Sequence, residues 1–241
     1  MEVHHHSHKP KNWKEYITEF IMLFAAVTLG FFAENIREHL AESHKKQETL
    51  EAVARDFEKD INQLEFHKSF DLNKIKICDS IDNILTKDPN LIDQQDYYRL
   101  VNSFMNFWKF NTNSRSRIES ESKGYFSDKE NQELAYYISK YNFYLMDFTN
   151  NAEMEQEYYM DFYNKNNLIH FVDAEIYKQS AHFPRSIIPH KIGIRQIKPE
   201  YKEDFKLYTT GIRVMNEIGL YNIDSLQFYA KKAINLINKK N

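Results

Sequence analysis

The residues best suited to chemistry are four histidines near the N-terminus, at positions His4, His5, His6 and His8. Neutral imidazoles are good ligands for zinc, nickel and copper, so this cluster is a weak candidate metal site. The segment is short, and Glu2 is its only carboxylate. The alternative is a solvated tail with incidental metal affinity, and the sequence leaves any metal unknown.

Two further groups of residues could do chemistry. Arg115 and Arg117 lie in a serine-rich stretch and could bind an anion, although a solvated loop is the simpler interpretation. His170, Asp173 and Glu175 have helical spacing, for which an ordinary polar face is the better interpretation than a metal site. The chain has no glycine-rich phosphate loop, nucleophile elbow, HExxH motif or paired cysteines. We therefore predict no catalytic residues, no cofactor and no enzymatic activity.

The elements that position these residues begin with an uncharged apolar stretch, Phe20–Ala33, bounded by Glu19 and Glu34. A membrane-spanning helix needs about 20 predominantly apolar residues, and the run from Tyr16 to Ile36 reaches that length. Trp13 and Tyr16 stand where aromatic side chains anchor a span at the membrane interface. The sequence therefore predicts a transmembrane anchor.

Two alternatives compete with an uncleaved anchor. A cleaved signal peptide would end in small residues, whereas this run ends in Phe31-Phe32-Ala33 and continues into a helical pattern. A core helix of a soluble bundle is the other alternative.

The orientation of the anchor is poorly determined by charge. Three basic residues precede the span and three follow it, so the positive-inside rule gives almost no bias: Lys9, Lys11 and Lys14 before, Arg37, Lys45 and Lys46 after. Because a short tail is simple to retain on the cytoplasmic side, we favour a cytoplasmic N-terminus and a periplasmic C-terminal domain in a bacterial inner membrane.

One face of the predicted span carries small residues. This face comprises Glu19, Ala26, Gly30, Ala33 and Arg37. Small side chains let helices approach closely, and Ala26 and Gly30 have the spacing of a small-xxx-small pair. We expect this face to pack against another copy or a different membrane subunit, the alternative being a lone anchor in the lipid bilayer.

The rest of the composition indicates helices. Only five glycines and five prolines occur in 241 residues, and breakers are absent over long stretches. The net charge of −3, with both signs mixed, does not suggest nucleic-acid binding, and the single cysteine, Cys78, rules out an intrachain disulfide. We predict an all-α fold, in which one transmembrane helix continues into a long stalk helix and an antiparallel helical bundle.

The predicted organisation has three parts. Residues 1–12 form a polar, histidine-rich tail, residues 13–37 the anchor, and residues 38–241 a helical soluble domain with its stalk at about 38–70. Apolar residues of the stalk repeat at alternating spacings of three and four, which is typical of a bundle core face or of a self-associating coiled coil. These stalk-seam residues are Leu50, Ala54, Phe57, Ile61 and Leu64.

Later segments also have helix signals. We predict a second helix or kinked continuation before Pro89, a third helix over about residues 93–110, and a short helix closed by Gly124. A Ser127–Glu130 capping box predicts the start of a long helix that ends at 164–167. Pro199 predicts the first residue of a last helix reaching about residue 238.

The N-terminal segment has a recognisable motif. Between Lys11 and His39 it carries a Trp-Lys-Glu-Tyr start, a Val-Thr-Leu-Gly-Phe-Phe-Ala-Glu centre and an Ile-Arg-Glu exit. In these residues it resembles a family of single-span inner-membrane proteins of Bacteroidota. The resemblance implies an inner-membrane protein with a mostly helical domain and supplies no catalytic residues.

Three functional hypotheses follow. The first is a membrane-anchored accessory or interaction subunit of a cell-envelope complex. The second is a periplasmic ligand-sensing helical domain that acts through a partner protein. The third is an enzyme whose site is assembled from dispersed residues.

Overall fold

The structure is a computed structural model that describes residues 12–87, 99–101, 103–104, 106, 108–164 and 199–239. These residues form helices and no strand, which confirms the all-α prediction. The helices are α1 (Trp13–Leu85), α2 (Arg115–Ser122), α3 (Gln132–Asn164), which follows a 3₁₀ turn at Lys129–Asn131, and α4 (Pro199–Lys239).

Helix α1 is a single element of 73 residues. It contains no proline and one glycine, Gly30, so nothing in its sequence interrupts the backbone hydrogen bonds. Its last turn closes where Lys87 N donates to Ile84 O at 3.0 Å. The segment predicted as a second helix or kinked continuation therefore belongs to α1.

The chain divides into two compact units, one ending at Leu50 and one beginning at Glu51. In the first unit the described residues are almost entirely helical and nearly all exposed. The second unit contains the remainder of α1 together with α2, α3 and α4. We call this second unit the helical domain.

Helix α4 runs antiparallel to α1 within the helical domain. Polar pairs between these helices occur in opposite order along the two sequences: Glu65 with Gln227, Lys68 with Asp224, and Asp79 with Arg213. Helix α4 also packs antiparallel to α3, as shown by the contacts of Asn151 with Met215 and Phe162 with Phe205.

Helices α1 and α3 run parallel to each other. Their contacts follow the same order along both helices: Asp60 with Tyr141, His67 with Phe148, and Lys74 with Glu155. A parallel pair needs a long connection, and residues 86–131 provide it.

An apolar cluster fills one end of the helical domain. Phe205 of α4 belongs to it, with its ring centroid 5.4 Å from that of Phe162 and 5.8 Å from that of Phe104. Burial of this apolar surface is the main contribution to packing here. The other buried members are Ile77, Cys78, Ile81, Leu85, Val101 and Ile212.

Two local predictions differ from the structure. The helix predicted over residues 93–110 does not reach residue 110, because residues 108–114 are irregular, and Trp108 is exposed. The capping box is also wrong, since Asp128 rather than Ser127 precedes the 3₁₀ turn and makes no side-chain cap. Instead, the Asn131 amide donates to Tyr125 O at 2.6 Å and fixes this turn. The short helix closed by Gly124, at a φ of 69°, agrees with the prediction.

Candidate functional site

The apolar part of α1 is long and apolar enough to cross a membrane. Its best 18-residue window has a mean hydropathy of 1.8, and none of that window is buried. A core helix of a soluble bundle would bury most of such a window. Thr18 and Thr28 satisfy their hydroxyls by donating to the carbonyls of Lys14 and Phe24, at 2.9 and 2.8 Å. These two hydroxyls therefore need no water.

The small-residue face lies open in the structure. Glu19, Ala26, Gly30, Ala33 and Arg37 are all exposed. A Cβ added at Gly30 would meet nothing within 4 Å. An alanine at Gly30 would therefore clash with nothing in the described part of this chain.

The residues predicted as interface anchors lie at the N-terminal end of the apolar stretch. Trp13 and Tyr16 are 75% and 58% exposed. At the other end Arg37 pairs with Glu34, with Nε 3.0 Å from Oε2. This local pair lowers the cost of placing either charge near the edge of an apolar span.

The stalk-seam residues occupy two environments. Ala54, Phe57 and Leu64 are buried in the helical domain, while Leu50 and Ile61 are half-buried. From Phe57 to Leu85 the buried positions of α1 continue at spacings of three and four, and several of them are polar. These polar members are Asp60, His67, Asp71 and Lys74.

The polar residue nearest the start of this buried seam, Asp60, is the centre of an enclosed hydrogen-bond network. Its carboxylate accepts hydrogen bonds from Thr112 Oγ1, Asn113 N and Asn113 Nδ2, at 2.7 to 2.9 Å. The Tyr141 hydroxyl donates to it at 2.8 Å, and Arg117 Nη1 at 3.1 Å. Burial and the neighbouring Asp60 charge raise the pKa of Tyr141, which stays a hydrogen-bond donor.

Arg117 does not lie in a solvated loop, so that interpretation of the Arg115–Arg117 stretch is wrong for Arg117. Its side chain is buried, and its guanidinium carbon lies 4.7 and 4.8 Å from the ring centroids of Phe57 and Tyr141. The carboxylate and the two rings together stabilise the cation. Arg115 is exposed. The enclosure of Arg117 leaves no open approach for an external anion.

A second polar layer lies two to four turns further along α1. The Lys74 amino group donates to Asn106 O and lies 3.6 Å from Glu155 Oε1. Burial lowers the pKa of Lys74. Burial, with the negative charge of Glu155, raises the pKa of Asp71 to about 7. Burial lowers the pKa of His67 to about 4.

Several buried polar atoms of this layer lack a hydrogen-bond partner among the described residues. They are Nε2 of His67, Oδ1 of Asn151 and Oδ1 of Asn216. Buried polar groups are nearly always paired, so each of these atoms needs an explanation. We call His67, Asp71, Lys74, Asn151, Glu155 and Asn216 the polar layer.

Cys78 follows the polar layer on α1. It is a free, fully buried thiol within the apolar cluster. Burial raises its pKa to about 12, so the thiolate is not populated at neutral pH.

The candidate metal ligands lie largely outside the described residues. The four tail histidines and the group at His170, Asp173 and Glu175 belong to residues 1–11 and 165–198. In the described ranges, no group of three His, Cys, Asp or Glu residues is placed to hold a metal ion.

Sequence reasoning missed the polar members of the buried α1 seam because it counted only apolar residues. The signal was present, since the three-four spacing continues unbroken through Asp60, His67, Asp71 and Lys74.

Comparison with protein-family models, curated proteins and solved structures found no significant match. The resemblance to Bacteroidota membrane proteins therefore stays a prediction from the N-terminal motif.

Proposed function

We propose that this chain is a membrane-anchored, non-catalytic accessory subunit that joins a helical domain to partner subunits of a bacterial cell-envelope complex. The observation that carries this proposal is the apolar window of α1, which is entirely exposed. Exposed apolar surface of this extent needs lipid or protein to cover it.

The small-residue face supports protein contact in addition to lipid contact. Ala26 and Gly30 leave a shallow strip on the helix surface, and nothing in the described chain lies over Gly30. In hydrocarbon, helix association depends on close van der Waals packing, which small residues permit. The proposed partner is therefore a transmembrane helix that packs on this strip, from a second copy or from another subunit.

The buried charges of the helical domain support an architectural role. Arg117 and Asp60 are engaged with each other and with neighbouring polar groups. Lys74 contacts Glu155 and Asn106 O. These groups connect α1 to α2, α3 and the irregular segment, so they fix the shape of the domain that the anchor would present to a partner.

Purification in a mild detergent, followed by mass spectrometry, tests the proposal. The wild-type chain is expected to co-purify with stoichiometric membrane subunits or as a defined oligomer. Gly30→Leu is expected to lose these partners and still fractionate with membranes, because a Cβ added at this position meets nothing in the described part of the chain. Phe31→Leu, a substitution on another face of the same turn, is the matched control and is expected to retain them.

Two results would contradict the proposal. If the chain stayed in the soluble fraction, α1 would not be a membrane anchor. If the wild-type chain purified as a monomer, and Gly30→Leu and Phe31→Leu purified in the same way, the small-residue face would have no packing role and the helix would be a lone anchor.

A further inference from the structure

Helix α4 has an exposed apolar stripe in addition to its buried face. Five large apolar residues of this helix remain 44% to 65% exposed in the folded domain. Together with one glycine and one serine, they follow one another at alternating spacings of four and three residues. We call these seven residues the α4 stripe: Leu207, Gly211, Val214, Ile218, Tyr221, Ser225 and Phe228.

The spacing of the α4 stripe is typical of a helix that packs against another helix. Apolar residues scattered singly over a surface need no explanation, but seven positions in one register do. An average repeat of 3.5 residues keeps such side chains in line along a partner helix. The buried face of α4, which includes Ile212, Ile223 and Ala230, already packs in the domain. The stripe is therefore separate from the face that holds α4 in place.

Tyrosines of α3 border the α4 stripe along one side. The ring centroid of Tyr144 lies 6.2 Å from that of Tyr221. Closer to the start of α4, a Cβ added at Gly211 would be 2.7 Å from the ring of Tyr158. The exposed surface is therefore formed by two helices, and a helix lying along the stripe would also contact α3.

The two ends of the α4 stripe carry opposite charges. The same alternating spacing continues to Asp204 at one end, and to Lys232 and Lys239 at the other. All three residues are exposed. A helix that follows the stripe would therefore meet a carboxylate at its first end and ammonium groups at its second.

The charges beside the stripe follow the same division. Glu217 is exposed beside the first half of the stripe, and Lys231 is exposed beside the second half. Asp224 lies between them, and its carboxylate pairs with Lys68 of α1 at 2.6 Å. One half of the surface is therefore acidic and the other is basic.

This division of charge restricts what can cover the stripe. An anionic lipid surface selects helices with basic flanks throughout, so it would repel the acidic half. A second copy packed in the same direction would oppose like charges. A second copy packed in the opposite direction would run its α1 the other way, because α1 and α4 are antiparallel within each domain. Two chains anchored in one membrane enter it in the same direction. A helix from a different subunit meets none of these objections.

We propose that the α4 stripe and the adjoining tyrosines of α3 are the docking surface for an amphipathic helix of a partner subunit. That helix carries apolar residues at the same alternating spacing, basic residues over the Glu217 half and acidic residues over the Lys231 half. From Leu207 to Phe228 the stripe covers about 32 Å of the helix at about 1.5 Å per residue. The inference rests on the proposed function only in assigning the helix to a partner subunit.

Photo-crosslinking in the cells that make the protein tests this proposal. Benzoylphenylalanine placed at Phe228 is expected to trap a polypeptide on irradiation, and mass spectrometry identifies the segment that reacts. The expected segment belongs to a different chain, has apolar residues at alternating spacings of three and four, and has acidic residues next to the crosslink. Phe66 of α1 is the matched control, since Phe66 and Phe228 are both 52% exposed. Benzoylphenylalanine at Phe66 is expected not to trap that segment.

Ile218→Asp, made in the chain with the crosslinker at Phe228, tests the apolar contact. It places a carboxylate in the middle of the docking surface, so the crosslink is expected to fall at least about tenfold. Leu72→Asp is the matched control on α1, because Leu72 is 44% exposed and Ile218 is 45% exposed. This control is expected to leave the crosslink unchanged. Thermal unfolding of both variants should match that of the parent chain, because both positions are exposed.

Glu217→Lys tests the charge complementarity in the same chain. The reversed charge would repel the basic half of the partner helix, so the crosslink is expected to fall about threefold or more, and less so at high salt. Glu153→Lys makes the same change at an exposed position of α3 outside the stripe and should have no effect. Equal yields in the two variants would overturn the proposed charge pairing.

Other occupants of the stripe would overturn the proposal. A crosslink from Phe228 to lipid, to a second copy or to another segment of the same chain would do so, as would the absence of any crosslink. Membrane fractionation of the same cells separates this result from the proposed function. A membrane-bound chain without the crosslink contradicts only the docking surface, whereas a soluble chain that still traps the helix contradicts only the anchor.

Discussion

Arg117 on α2 and Asp60 on α1 form an ion pair inside the helical domain, with Nη1 3.1 Å from Oδ2 and side chains 4% and 0% exposed. The pair ties the short helix α2 to the long helix α1. Thr112 takes part as well, because it donates to Asp60 and accepts from Arg117 Nη2 at 2.6 Å. The irregular segment before α2 is thereby held by side-chain hydrogen bonds.

Replacement of only one member of this ion pair should destabilise the helical domain far more than replacement of an exposed charge. Arg117→Met leaves the Asp60 carboxylate buried without its cation, for which we expect a loss of about 3–5 kcal/mol in the free energy of unfolding. Arg115→Met, at an exposed position, should change it by less than about 0.5 kcal/mol. Denaturant unfolding of the full chain in detergent measures both.

Removal of both charges should cost less than removal of one. In Asp60→Leu combined with Arg117→Met neither charge of this pair remains, so we expect this double variant to be more stable than Arg117→Met alone. A double variant that is less stable than Arg117→Met would show that the other hydrogen bonds of Asp60 outweigh its charge.

Gly219→Ala tests the close approach of α4 to Asp71. The new Cβ would lie 2.8 Å from Asp71 Oδ2. We expect overpacking of about 1–3 kcal/mol to exceed the gain of up to about 1 kcal/mol from helix propensity. In an Asp71→Ala background the space is free, so the same substitution should stabilise the domain. Thermal unfolding in the two backgrounds gives the comparison, and an equal effect in both would refute the contact.

Acid should change the contribution of His67 to stability in the direction opposite to that of Asp71. Its folded pKa is lowered from 6.5 to about 4, so the folded state binds fewer protons than the unfolded state between these values. The stability that depends on neutral His67 is lost as the pH falls through this window, by up to about 3 kcal/mol. The stability of His67→Phe relative to wild type should therefore increase as the pH falls from 7 to 4.5. The relative stability of His44→Gln, a substitution at an exposed site, should change little over the same range.

Orientation in the membrane can be tested with new thiols, because the single native thiol is buried. Asn12→Cys and Ser43→Cys place exposed cysteines before and after the apolar stretch. With a cytoplasmic N-terminus, a membrane-impermeant maleimide applied to spheroplasts should label Ser43→Cys and not Asn12→Cys. Labelling in the reverse pattern would invert the predicted topology.

The sequence predicted the long helices well. Scarcity of glycine and proline predicted the long first helix but left open a second helix or a kinked continuation before Pro89, where the structure has α1 running to Leu85. Pro199 predicted the start of α4. These features are local, since a helix continues wherever nothing removes its hydrogen bonds. The end of α3 at Asn164 also agrees with the prediction.

Apolar periodicity alone does not identify the buried polar residues, although those of α1 lie on the same three-four spacing as its buried apolar residues. Asp60 and Arg117 are 57 residues apart, and each is tolerated in the interior only because the other is present. The Asp60 carboxylate also holds two residues of the irregular segment at 108–114. Thr112 and Asn113 hydrogen-bond to Asp60 in place of continuing a helix, which is a tertiary contact with no local signature.

The reactivity of the buried Cys78 thiol reports local opening of the helical domain. Its thiol cannot react while the apolar cluster around it is closed, and no other cysteine competes with it. The rate at which a thiol reagent modifies the native chain therefore reports how often α1 separates from its neighbours at that point. The measurement needs no introduced label, and it reads local opening separately from global unfolding.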